Sequence, residues 1–85
     1  MPTLFEIYGY RIFFWSNEGN EPVHVHVCKG QPSADATKIW LPRDSNPVLA
    51  HNNSRIPQKD LNRILKMIAM NRDNIIARWY DYFGR

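Results

Sequence analysis

Only one cysteine, Cys28, stands among the 85 residues, so no intramolecular disulfide can form. Burial must then supply the stability, and a reducing cytoplasm is the expected setting. No apolar run approaches the roughly 20 residues needed to span a bilayer. The opening Met1-Pro-Thr-Leu-Phe-Glu6 lacks the basic stretch and long apolar run of a secretory signal. Neither a membrane span nor export is expected. Glycine-rich phosphate loops, a serine nucleophile elbow, a paired zinc-finger pattern and a helix-turn-helix signature are all missing. A familiar enzyme class is therefore not expected. Charge of a single sign is missing too: eleven basic and eight acidic residues leave +3.

What is present points to a folded chain. The hydrophobic fraction is 44%, and the aromatics crowd into Phe5–Trp15 and Trp79–Phe83, as two halves packing on each other would place them. The length suits one domain over residues 1–85 with a modest core, only marginally stable alone, for which a partner is an advantage. From Arg55 onward seven basic residues face three acidic ones, whereas the first 54 residues carry four and five. A basic second half is compatible with nucleic acid or an acidic partner.

The first half reads as strands: Leu4–Tyr8, Arg11–Trp15, Val23–Cys28, Ala34–Leu41 and a short edge strand at Val48–Ala50. Turn-forming runs at Ser16–Pro22, Lys29–Ser33 and Pro42–Pro47 separate them. The second half reads as helix from about Pro57 to Phe83. Leu61, Ile64, Leu65, Ile68, Ile75, Ile76, Trp79 and Phe83 hold one face, and Gly84 is a natural stop. Asn71-Arg-Asp-Asn74 interrupts it, which predicts one bent helix or two nearly collinear ones. The expected fold is α+β, with a small antiparallel sheet of three to five strands packed against a long or bent C-terminal helix.

Chemistry concentrates in Pro22-Val-His-Val-His-Val-Cys28. Strict alternation puts His24, His26 and Cys28 on one face, with the imidazoles about 7 Å apart at the backbone. Three readings of the pair stand open. The histidines fill the polar or half-buried side of a strand. They bind a zinc-like divalent metal, with Cys28 or His51 as a third ligand. Or they act as acid and base on a phosphodiester, with Arg11, Arg55 or Lys59 holding phosphate. Cys28 itself reads as a buried structural thiol. Arg55, Lys59, Arg63 and Lys66 recur at helical spacing as a basic stripe, with Met70 on or near it. That stripe is either a solvated face or a surface for a protein partner or a phosphate backbone.

The segments Met1-Pro-Thr3, Gly9-Tyr-Arg-Ile-Phe-Phe-Trp-Ser-Asn-Glu18, Pro22-Val-His-Val-His-Val27, Ala36-Thr-Lys-Ile-Trp-Leu41 and Ile75-Ile-Ala-Arg-Trp-Tyr-Asp-Tyr-Phe-Gly84 resemble the small bacterial family called domain of unknown function 4160. Many members carry an acidic, Glu-containing stretch where this chain has Pro42–Pro47, so the resemblance brings no ligand from that stretch. It implies no assigned activity. It implies a neighbouring gene for a second small protein, of the domain of unknown function 2442 type, in arrangements resembling toxin–antitoxin pairs or mobile-element cargo. The expected function is thus an interaction module that binds its partner. A small RNA-binding or ribonuclease effector using His24 and His26, and a metal-binding module, are the alternatives.

Overall fold

The computed structural model describes residues 3–84; Met1 and Pro2 of the opening motif, and Arg85, lie outside the described residues. Strands β1 (Thr3–Ile7), β2 (Tyr10–Phe13), β3 (His24–Lys29), β4 (Thr37–Trp40) and β5 (Val48–His51) precede helices α1 (Gln58–Met70) and α2 (Arg72–Phe83). The strands form one antiparallel sheet in the order β1-β2-β3-β4-β5. Each connection joins neighbours, so β3 is central. The α+β arrangement expected from the sequence is the one observed.

Element ends differ from the sequence reading for local reasons. Tyr8 does not continue β1; it and Gly9 form the tip of the first hairpin with φ of 52° and 81°. Two positive φ values in a two-residue turn match the twist of the flanking strands. Trp15 leaves β2 because its backbone turns toward Glu18, whose N–H donates to the Trp15 carbonyl at 3.3 Å. Ala34–Ala36 precede β4 as a turn, closed by Ala36 N–H to the Ser33 carbonyl at 3.2 Å. Pro57 stands just outside α1 with φ −55° and ψ 143°, and Gly84 ends α2 in the left-handed region at φ 70°. The expected interruption forms two helices. Asn71 sits between them at φ −109° and ψ 17°, its side-chain amide donating to the Met67 carbonyl at 2.9 Å.

Pairing register settles what lies on each face. Residues opposite one another share a face, so Phe13, His26, Lys38 and His51 form one row and His24, Trp40 and Val48 the next. On the opposite face Ile12, Val25, Val27 and Ile39 are fully buried with Leu61, Ile64, Ile68, Ile75 and Trp79 of the helices. A fully buried side chain of this kind contributes about 1.5–3 kcal/mol. Tyr10 Oη–H donates to Asp60 at 2.8 Å and the Arg78 guanidinium donates to the Leu4 carbonyl at 3.1 Å, pinning β2 to α1 and β1 to α2.

The histidine face is covered at its His24 end by Trp79 of α2, whose ring lies 5.0 Å away, and elsewhere by side chains of the sheet and its loops. Phe13, Cys28 and Ala36 make a second small cluster there, with Trp15 packed on it. Every residue from His24 to Cys28 is consequently buried. Alternation allowed a half-wet or solvent-facing histidine row; folding the β2–β3 loop over the central strand removes that option.

Candidate functional site

The β2–β3 loop carries the residue that organises the histidines. Glu18 is turned inward by its own loop: Trp15 N–H donates to Glu18 Oε1 at 2.8 Å, and Glu21 N–H to the Glu18 carbonyl at 3.1 Å. Next to it, Gly19 lies against α2, where a β-carbon would stand 2.6 Å from Phe83 Cδ1. Only a residue without one lets the loop lie this close.

The Glu18 carboxylate then meets both imidazoles. His26 Nε2 lies 2.8 Å from Glu18 Oε2, and His24 Nε2 lies 2.9 Å from the same oxygen. The His26 contact has hydrogen-bond geometry, with the second oxygen at 3.1 Å. The His24 contact is close but off the line of an N–H bond, so His24 Nε2 counts as a buried nitrogen without a hydrogen-bond partner among the described residues. On its other side His24 Nδ1 is 2.9 Å from the Pro22 carbonyl. A carbonyl only accepts, so Nδ1 carries the hydrogen and, in the neutral ring, Nε2 presents a bare lone pair to the carboxylate. His26 Nδ1 is also buried without a partner among the described residues.

Aromatic rings wall the cluster. His24 meets Trp79 at 5.0 Å and Trp40 at 5.3 Å, and His26 meets Phe13 at 5.6 Å. Burial pushes the Glu18 carboxyl up, but the His26 and His24 nitrogens and the Trp15 N–H outweigh it and hold the group below its ordinary value. For His26 burial dominates and lowers the ring, with Glu18 opposing. Solvent approaches from a shallow cavity of about 510 Å³ lined by Trp15, Asn17, Glu18, Glu21 and Ala34.

The other residues singled out from the sequence fall elsewhere. Cys28 is buried, its thiol donating to the Gln31 carbonyl at 3.4 Å, and burial pushes the thiol up. His51 shares the cross-strand row of His26 but lies two strands away, roughly 10 Å at the spacing of neighbouring strands, and its Nδ1 accepts from Asn53 N–H. Among the described residues the ligand-type atoms that gather with those of His24 and His26 are those of Glu18, and neither Cys28 nor His51 joins the group. Arg11 pairs with Glu6 at 3.1 Å. The residue that sequence reasoning missed is Glu18. Its only signals were a place at the end of a family-like segment and a following glycine.

The basic stripe is shorter than expected. Arg55 is exposed in the turn before α1, with φ 58°, and does not belong to the helix. Lys59, Arg63 and Lys66 are exposed on α1, and Met70 at its end is 77% exposed. Beside them a groove of about 490 Å³ is lined by Ile7, Tyr8, Arg63, Lys66, Met67 and Met70. Tyr8 is 60% exposed, and the Arg63 guanidinium lies over its ring at 5.2 Å.

No helix among the described residues is long and apolar enough to cross a membrane. No curated protein and no solved structure matches the chain. A family model does, over residues 9–80, a span that holds the loop bearing Glu18, both histidines and the first nine of the twelve residues of α2. The chain thus belongs to the family described as domain of unknown function (DUF4160).

Proposed function

We propose that this protein works by binding a partner protein, as one half of a small bacterial two-protein system of the toxin–antitoxin or mobile-element kind. The observation that carries the reading is the groove between the β1–β2 hairpin and α1. Its floor is apolar (Ile7, Tyr8, Met67, Met70) and its rim is cationic (Arg63, Lys66). Tyr8 holds a left-handed backbone that costs a bulky residue about 1–2 kcal/mol, yet its ring stays largely in solvent. Strain of this kind gathers where a surface is used. Flexible methionines suit a surface that repacks around an incoming side chain.

The occupant that fits this chemistry is a short acidic segment with one or two large apolar residues. Its carboxylates would meet Arg63 and Lys66, and its apolar side chain would lie between Tyr8 and Met70. The product of the neighbouring gene, of the domain of unknown function 2442 type, is the first partner to test.

Calorimetry with that protein is expected to give a complex at micromolar concentration or tighter. The double substitution Arg63→Glu, Lys66→Glu should weaken it at least about tenfold, and Arg43→Glu, outside the groove, should leave it unchanged. Absence of a complex at micromolar concentrations overturns the reading. So does tight, steeply salt-dependent binding of single-stranded RNA that Arg63→Glu abolishes, which makes the rim a phosphate track instead.

A further inference from the structure

We propose that Glu18, His24 and His26 form a site for one divalent transition-metal ion of the zinc class. Three ligand atoms, one from each residue, lie within 4.8 Å of one another. Two imidazole nitrogens and one carboxylate oxygen are a donor set that zinc accepts, with the fourth position left to water. The set joins a rigid element to an adjustable one: both histidines stand on the central strand, and the carboxylate stands on a loop.

The hydrogen-bonding pattern around His24 is the second, independent observation. His24 is fully buried and gives its Nδ1 hydrogen to the Pro22 carbonyl. Nε2 is therefore a lone pair whenever the ring is neutral, and a carboxylate oxygen stands 2.9 Å from it, off the line of the ring nitrogen. Two electron-rich atoms at that distance repel unless something positive stands between them. A proton on Nε2 would ease the repulsion only by making a buried imidazolium without a well-aligned hydrogen bond; a metal ion eases it while leaving the ring neutral. Backbone acceptance of the remote imidazole hydrogen is the way metal-binding histidines are held in one tautomer and one orientation. Glu18 is oriented in the same manner by Trp15 N–H at Oε1, which leaves Oε2 for the ion.

Charge and space agree with this assignment. Among the described residues Glu18 has only the two imidazoles as ion-pair partners, while the nearby Lys38 is taken by Glu21 at 2.9 Å. A carboxylate held among aromatic rings and largely out of solvent gains from a full positive charge beside it, and a divalent ion supplies that charge. Zinc–ligand lengths of about 2.0–2.2 Å require tetrahedral ligand atoms roughly 3.3 Å apart. Glu18 Oε2 would thus retreat by about half an ångström from nitrogens now at 2.8 and 2.9 Å. A loop residue can do so. The cavity of Trp15, Asn17, Glu21 and Ala34 beside Glu18 supplies the path for the ion and its water.

The test uses the untagged full chain, stripped with chelator and titrated with zinc, cobalt or manganese chloride. Calorimetry should give one equivalent per chain, with affinity falling on acidification as ligands take up protons. Glu18→Gln should weaken binding more than about 100-fold, and Cys28→Ser should leave it unchanged. Imidazole nitrogen resonances of the unsubstituted protein provide a readout that does not depend on a variant folding: zinc should move His24 Nε2 and His26 and spare His51. Binding well below one equivalent with no thermal shift for any of the three metals overturns the site. Stoichiometric binding that survives Glu18→Gln but is lost in Cys28→Ser, or that moves His51, overturns this ligand set.

Discussion

Gly19 packs on Phe83 so closely that a β-carbon would come within 2.6 Å of the ring. Phe83 in turn packs against Trp79 in a tilted arrangement at 4.6 Å, and Trp79 lies 5.0 Å from His24. The loop that delivers Glu18 and the strand that delivers His24 are therefore clamped by the same end of α2.

Gly19→Ala should destabilise the protein by about 1–3 kcal/mol, the usual cost of forcing extra volume into a packed contact. Truncating Phe83 to Ala in the same chain should recover part of that loss, because the two changes share one contact. Urea denaturation of the single and double variants measures it. Strictly additive losses would show that the Gly19–Phe83 contact does not hold the loop.

Stability should fall as the solution is acidified, in two steps. His26 and Glu18 are both lowered in the folded protein, so the unfolded chain binds more protons in each window. The His26 contribution is complete above its ordinary value of 6.5 and is lost as pH drops below it. The Glu18 contribution is complete above 4.5 and is lost below that. Thermal melts from pH 8 to pH 3 with chelator present check this, and Glu18→Gln should flatten the lower step. A melting temperature that rose on going from neutral pH to pH 5 would contradict the assignment.

Tyr8→Asn should favour the hairpin while harming the groove. Asn tolerates positive φ far better than Tyr, so the turn should gain up to about 1 kcal/mol. The ring beneath Arg63 disappears at the same time. A variant that melts higher and binds its partner less tightly is the expected result, read from paired melts and calorimetry.

Cys28 should be unreactive in the native state. It is only 3% exposed and burial pushes its thiol up, so little thiolate is available at neutral pH. A chromogenic disulfide reagent should modify it at the rate of unfolding and at once in urea. Rapid reaction of the folded protein would place the thiol at an accessible surface.

Trp79→Ala should cost about 3–5 kcal/mol as a core truncation. It should also loosen His24, whose ring loses its neighbour on α2. Broadened His24 resonances, with those of the more distant His51 unchanged, would report it.

The sequence by itself determined the α+β class, the five strand positions to within a few residues, the break at Asn71 and the common face of His24 and His26. All follow from local rules: period-two and helical spacing, turn-forming runs, and poor helix formers in mid-helix. It also placed Lys59, Arg63, Lys66 and Met70 on an outer surface of the helix, because the apolar phase leaves them there.

Tertiary structure alone decided what surrounds the histidines. Local alternation states that two side chains point the same way, but what covers that face depends on a loop and a helix end brought there from elsewhere in the chain. Glu18 reaches His24 and His26 only because Gly19 lets the loop close on Phe83, a contact between residues 64 positions apart in the chain. A comparable separation in sequence hid the groove, whose two sides come from the first hairpin and the first helix. Arg55 shows the opposite limit. Its spacing fitted the stripe, yet the Asn52 side-chain carbonyl takes the Ile56 N–H at 3.0 Å and bends the chain there, so the helix begins only at Gln58.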